Sequence, residues 1–253
     1  MPNHCYNTTE FRGPKEEIDQ IIHIIQGGDR RPELHEQETD TEKFGLKNLV
    51  PMPADLATTV SGSTSLPDWY MTALASGEIT QEEFDKAEAT MKERRDKYAT
   101  NQEKYGYTNW YDWACAEENW GTKWGDYDHF CDSGDEAIEI TGGWYISYSY
   151  NTAWGPFSDT FWTKVSLMFP NTIISTSYEE SGMCFMGAIA VKNGEIVTTY
   201  QENFFPDFPD SDGENFDELY CEYLEKVTER REGLSDMVFE QLIDQLNTRK
   251  AGI

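Results

Sequence analysis

A chain of 253 residues with 47 Asp and Glu against 20 Lys and Arg carries a formal charge of −27 at neutral pH. Its hydrophobic content of 38%, with 14% aromatics, supplies the core that disordered chains lack, so a folded protein is expected. A field of that sign repels free nucleic acid and anionic membrane surfaces, whose ligands need Lys and Arg, and excludes direct binding to either as the expected role.

No apolar run approaches the roughly 18 residues of a membrane span, and the opening Met1-Pro2-Asn3-His4-Cys5 lacks the basic and apolar regions of a signal peptide. A cytoplasmic protein is therefore expected. Cys5, Cys115, Cys131, Cys184 and Cys221 are odd in number and form no C-x-x-C pair, which points to reduced thiols.

Taken in chain order, residues 4–11 read as a strand. Gly13-Pro14 then turns into a helix with Ile18, Ile21, Ile22 and Ile25 on one face, stopped by Gly27-Gly28. Residues 29–43 are polar and charged, as in a loop; 46–53 form a short apolar run broken by prolines; 57–66, rich in Thr, Ser and Gly, read as a linker. Thr80 with Glu83 three residues on is a capping-box signature for a helix to about Tyr98, packed by a narrow stripe of Phe84, Ala87 and Met91.

Gly143 to Tyr150 alternates as a strand, and Pro156 to Phe169 reads as an amphipathic helix. Strands follow at 172–179, 184–192 and 195–203, with Asn193-Gly194 as a hairpin turn. Two helices, 214–231 and 234–248, complete the pattern. With the middle helices set aside, the order predicts an α+β, ferredoxin-like split βαβ sandwich with its helices on one sheet face. The expected domains are a core of 1–56 with 136–205, a helical, Trp-rich insertion over 57–135, and acidic C-terminal helices over 206–253.

Several motifs carry a resemblance: Met1-Pro2-Asn3 followed by Cys5 and Asn7, Gly13-Pro14, Val50-Pro51-Met52-Pro53, and Trp110-Tyr111-Asp112-Trp113. Asn119-Trp120-Gly121-Thr122-Lys123-Trp124, Thr152-Ala153-Trp154 and Tyr178-Glu179-Glu180-Ser181-Gly182 continue it. Over residues 1 to about 187 the chain resembles the YubB-type ferredoxin-like proteins of bacteriophages and plasmids. The resemblance implies a ferredoxin-like fold without an iron–sulfur cluster and a mobile-element origin, and it brings no catalytic residues. The chain departs from that pattern at His4, where a Trp is typical, and over Ala114-Cys115-Ala116.

Seven of the eight tryptophans fall between Trp110 and Trp162. On a helix over 110–120, Trp110, Trp113 and Trp120 would lie at roughly 0°, 300° and 280° and share one face, with Gly121 ending the helix. Such a face serves either as a core stripe or, with Trp124 and Trp154, as a stacking surface for a small ligand. Lys123 has two readings: partner to a phosphate or carboxylate beside the indoles, or ion-pair partner of Glu117, Glu118 or Asp126.

The stretch 207–213 resembles a calcium loop only in part, because Phe208 takes the first ligand position and Leu219 the twelfth. His129 and Cys131 lie near Asp126 and Asp128 but lack a second ligand pair at zinc spacing. No Walker loop, G-x-S-x-G elbow, H-E-x-x-H or Rossmann glycine pattern is present.

The expectation is a non-enzymatic binding protein without a cofactor or metal. Between Lys104 and Lys226 three lysines face 22 carboxylates, and between Lys192 and Lys226 there are ten carboxylates and no Lys or Arg. Asp207, Asp210, Asp212, Glu214, Asp217, Glu218 and Glu222 are the expected contacts to a host protein with a basic, nucleic-acid-binding groove, which the chain would inhibit as an anti-defence protein. The alternative is a nucleotide or signalling-molecule binder built on Trp110, Trp113, Trp120, Lys123, Trp124 and Trp154.

Overall fold

The first strand sets the frame of the molecule. In the computed structural model, which describes residues 3–27, 44–131, 136–203 and 215–251, strand β1 (His4–Gly13) alternates so that Cys5, Asn7, Thr9 and Phe11 are buried. The buried polar members are satisfied across the sheet. Asn7 Nδ2 donates to Thr152 Oγ1 at 2.9 Å, and Thr9 Oγ1 bonds Tyr150 Oη at 2.9 Å and Thr176 Oγ1 at 2.8 Å.

Helix α1 (Lys15–Ile25) follows Pro14 and buries Ile18, Ile21 and Ile25. Later in the chain come β2 (Asp126–Cys131), β3 (Ile138–Ile140), β4 (Gly143–Ala153), α6 (Asp159–Met168), β5 (Ile173–Glu180), β6 (Phe185–Lys192), β7 (Glu195–Asn203) and α7 (Phe216–Ala251). The sheet order is β2-β4-β1-β5-β6-β7 with β3 on β4, and every pairing is antiparallel.

Because β4 and β5 both lie antiparallel to β1, they run the same way with β1 between them, joined through α6. By the same argument β1 and β2 flank β4 and run the same way. The fold is α+β, with two split βαβ connections interleaved around β1 and β4.

Neighbouring residues of β1 separate the two sheet faces. Phe11 meets Trp162 of α6 edge-on at 6.4 Å, whereas Arg12 lies over Phe239 of α7 at 3.9 Å. Helices thus cover both faces, rather than the single face the sequence pattern predicts. A hydrophobic set of Met186, Ala188 and Ala190 on β6 packs against Tyr223, Val227, Leu234 and Val238 of α7. That contact also explains why α7 is one helix and not two. Gly233 weakens a helix locally, but burial of Leu234 and Val238 on the far side of it holds the axis continuous.

The chain divides into two compact units, Met1–Pro51 with Ala116–Ile253, and Met52–Cys115. The second is narrower than the insertion expected over 57–135, since β2 belongs to the sheet. It contains α2 (Ala54–Ala57), α3 (Trp69–Ser76), α4 (Gln81–Tyr105) and α5 (Trp110–Cys115). Thr80 and Glu83 form the expected capping box, and α4 runs past Tyr98 to Tyr105.

Residues 58–64 are held rather than free, contrary to a linker. Tyr98 Oη donates to Val60 O at 2.8 Å, and the Arg94 and Arg95 side chains donate to the carbonyls of Ser63 and Thr64 at 2.6 and 2.7 Å. Among the described residues no helix is long and apolar enough to cross a membrane.

Candidate functional site

Helix α5 stops at Cys115, and residues 116–124 continue as turns, so Trp120 is not on a helix with Trp110 and Trp113. The shared indole face expected from the sequence does not form. The Asn119 and Gly121 amides both return to Ala116 O, and Gly121 adopts φ 71. A Cβ there would also stand 2.8 Å from Ser158 Cβ, so close approach as well as backbone conformation calls for glycine.

The six ligand candidates separate into two groups. Trp110 and Trp113 belong to the smaller unit, where Trp113 is buried and Trp110 meets Tyr111 edge-on at 5.6 Å. Trp120, Lys123, Trp124 and Trp154 belong to the larger one. Trp120 is also buried, its indole N–H donating to Val50 O at 2.8 Å, which places it in the core.

The remaining residues form an aromatic ledge at the β1 start and β4 end. The Lys123 ammonium lies 4.6 Å from the Trp124 ring centre, Trp124 meets Tyr127 edge-on at 6.1 Å, and Tyr127 Oη bonds His4 Nδ1 at 2.8 Å. Burial, with Asp128 and Cys5 nearby, raises the Tyr127 phenol above its usual range, which keeps it neutral. Thr122 Oγ1 donates to Ala153 O at 2.8 Å and accepts from Ala153 N at 3.1 Å, tying this loop to the strand end that carries Trp154. Trp124 and Trp154 are 40% and 50% exposed, so each offers an indole face to solvent.

Asp126, the carboxylate considered as a partner for Lys123 or a metal, is instead a buried knot. Its oxygens accept from Leu46 N at 2.6 Å, Lys47 N at 2.8 Å and His129 Nε2 at 2.5 Å. Burial opposes its ionisation, but the His129 hydrogen bond, the His129 and Lys47 charges and the Lys47 amide outweigh that and lower its pKa. Its acceptors are spent on the protein. Among the described residues no group of three or more His, Cys, Asp and Glu is placed to hold a metal.

Of the acidic partner candidates, Asp207, Asp210, Asp212 and Glu214 lie outside the described residues, as does the side chain of Asp217; Glu218 and Glu222 are exposed on α7. They begin a stripe that sequence reading missed: Glu218, Glu222, Glu225, Glu229, Glu232, Asp236 and Glu240, all exposed. Steps of three and four keep these within a helical sector of roughly 80°, facing away from Tyr223, Val227, Leu234 and Val238, and they span about 33 Å. None forms an ion pair among the described residues. The i, i+3, i+4 spacing was readable in advance, but only on an unbroken helix.

A groove of about 680 Å³ opens at the other end of β1 and β4, bordered by Arg12, Trp144, Lys192 and Phe239.

No family model matches the chain, and no curated protein matches it. A similar solved structure is the protein api92 from Yersinia pseudotuberculosis, with the family-model designation DUF1281. It shares 8% identity at a TM-score of 0.42, over 81% of this chain and 100% of that one. A likeness at that level carries neither fold family nor function over to this chain.

Proposed function

We propose that this chain is a non-enzymatic, cytoplasmic binding protein of a phage or plasmid that occupies the basic groove of a host defence or nucleic-acid-processing protein. The observation that supports this reading is the carboxylate stripe of α7. Seven like charges on one exposed helix face repel one another and form no ion pair among the described residues, with Lys226 alone at the edge of the stripe, a cost of charge self-repulsion that a basic partner removes. The stripe extends the acidic contact expected from Glu218 and Glu222 toward Glu240 on a rigid support. The interleaved split βαβ order supports the finer reading of the fold as ferredoxin-like, in keeping with the YubB-type resemblance.

The test is capture from a bacterial lysate on the tagged protein, with elution by a salt gradient. A basic nucleic-acid-binding protein released at moderate salt, and no longer retained when Glu218, Glu222, Glu225 and Glu229 are changed to Gln, is the expected result. Retention that is indifferent to salt and to those four substitutions overturns it.

The exposed Trp124 and Trp154 beside Lys123 favour a second reading, a small-ligand binder with the ledge as its stacking surface. Quenching of tryptophan emission by a nucleotide, lost in Trp124→Ala, would establish that role.

A further inference from the structure

We infer that the groove at the start of β4 binds a small amphipathic anion, a carboxylate or phosphate carried on a flat apolar body. Its volume of about 680 Å³ suits one small molecule. Trp144, Ile173, Phe239 and Ile243 supply the apolar wall, and Arg12 and Lys192 supply two cations. No Asp or Glu lines it among the described residues, although the chain holds 47 of them against 20 Lys and Arg. The carboxylates nearest to it stand behind the lining: Glu10 on Arg12, Glu17 accepting from Asn171 Nδ2 at 2.8 Å, and Glu195 across the strand pair from Lys192.

The two cations are unequally compensated. Arg12 donates from Nη2 to Glu10 Oε2 at 2.8 Å and lies 3.9 Å from the Phe239 ring centre and 5.2 Å from that of Tyr145, while its Nε is shut off from solvent without a hydrogen-bond partner. Lys192, half-buried at the end of β6, forms no ion pair or hydrogen bond among the described residues. A cation held against apolar walls lacks part of its hydration, and an anion supplied by a ligand restores that loss.

Lys15 stands 4.9 Å over the Trp144 ring and adds positive potential, though Asp19 holds it at 2.7 Å. The Thr141-Gly142 turn leaves the rim open. The surrounding field of −27 excludes polyanions such as nucleic acid, so the ligand is small. The groove borders the acidic stripe, since Ile243 follows Asp236 and Glu240 on one face of α7, but it is distinct from the Lys123 ledge and its proposal depends on neither reading.

The experiment titrates the isotope-labelled chain with 1-naphthyl phosphate, 2-naphthoate and the neutral 2-naphthalenemethanol, followed by amide chemical shifts. The expected result is binding of the anions at least tenfold tighter than the alcohol, with shifts centred on Gly142, Gly143, Trp144 and Lys192. Whichever anion binds tighter identifies the head group as phosphate or carboxylate. Lys192→Gln weakens the anions about tenfold and leaves the alcohol unchanged, as loss of one charge-assisted bond requires. Thr141→Trp, an exposed turn substitution that fills the rim, abolishes binding with the circular dichroism unchanged. No anion binding at millimolar concentration, equal binding of the alcohol, insensitivity to Lys192→Gln, or shifts centred on Lys123 and Trp124 overturns the inference.

Discussion

The guanidinium carbon of Arg12 lies 3.9 Å from the centre of the Phe239 ring, so strand β1 and helix α7 meet through a cation held over an aromatic face. Contacts that join chain ends close the longest loop a chain can make, and the loss of one is felt through the whole helix. Phe239→Ala is expected to cost about 2 kcal/mol in urea unfolding. Phe239→Leu should recover the burial but not the cation contact, and so fall between the two. If both variants match the parent, α7 is held by the Tyr223, Val227, Leu234 and Val238 contacts alone.

Asp126 gives the fold an acid-sensitive pin. Its folded pKa is lowered from 3.8 despite full burial, so its contribution to stability is present above pH 3.8 and is lost as pH falls through the lower folded value. Asp126→Asn turns one acceptor oxygen into a donor facing the Leu46 and Lys47 amides and His129, and removes a charge that each of them stabilises. A loss of about 3 kcal/mol at neutral pH is expected. The acid limb of a stability-against-pH curve below pH 4 should flatten in the variant. An unchanged limb would show that other carboxylates carry the acid sensitivity.

Much of the sheet was legible because its signals are local. The strand patterns of residues 4–11 and 143–150, within β1 and β4, the Asn193-Gly194 turn and the Thr80–Glu83 box each depend on residues a few positions apart. Strand β2 was missed because Asp128 adopts φ 53 within it and shifts the register between Tyr127 and Phe130, which breaks the two-residue period. The tryptophan run read as a helix because 113 and 120 are spaced as on one helical face, yet each indole is buried in a different unit. The groove could not be read at all. Arg12, Trp144, Lys192 and Phe239 are scattered over the length of the chain, and only the strand order and the docking of α7 bring them together.

Gly233 tests whether packing or propensity keeps α7 whole. It sits in the interior of the helix with open space where a Cβ would be. Gly233→Ala should therefore stabilise the protein by about 1 kcal/mol, with slower amide exchange on both sides of the position. A destabilising effect would mean that the helix bends there to keep Leu234 and Val238 on the sheet, and that the added propensity straightens it.

Trp154 is held at φ 73, with its amide donating to Asn3 O at 2.9 Å and half of its surface exposed. A left-handed backbone costs a non-glycine residue about 1 kcal/mol or more, and the buried half of the indole offsets that by an amount of the same order. Asn tolerates this conformation far better than Trp. Trp154→Asn is expected to change stability by no more than about 1 kcal/mol in either direction, because relief of strain and loss of the partial burial oppose each other, and to remove one of the two exposed indoles of the ledge. A loss above about 2 kcal/mol would assign the ring to the core. Increased stability would instead mean that the strain at this position is not repaid within the folded chain, which is the pattern of a side chain kept for contact with another molecule.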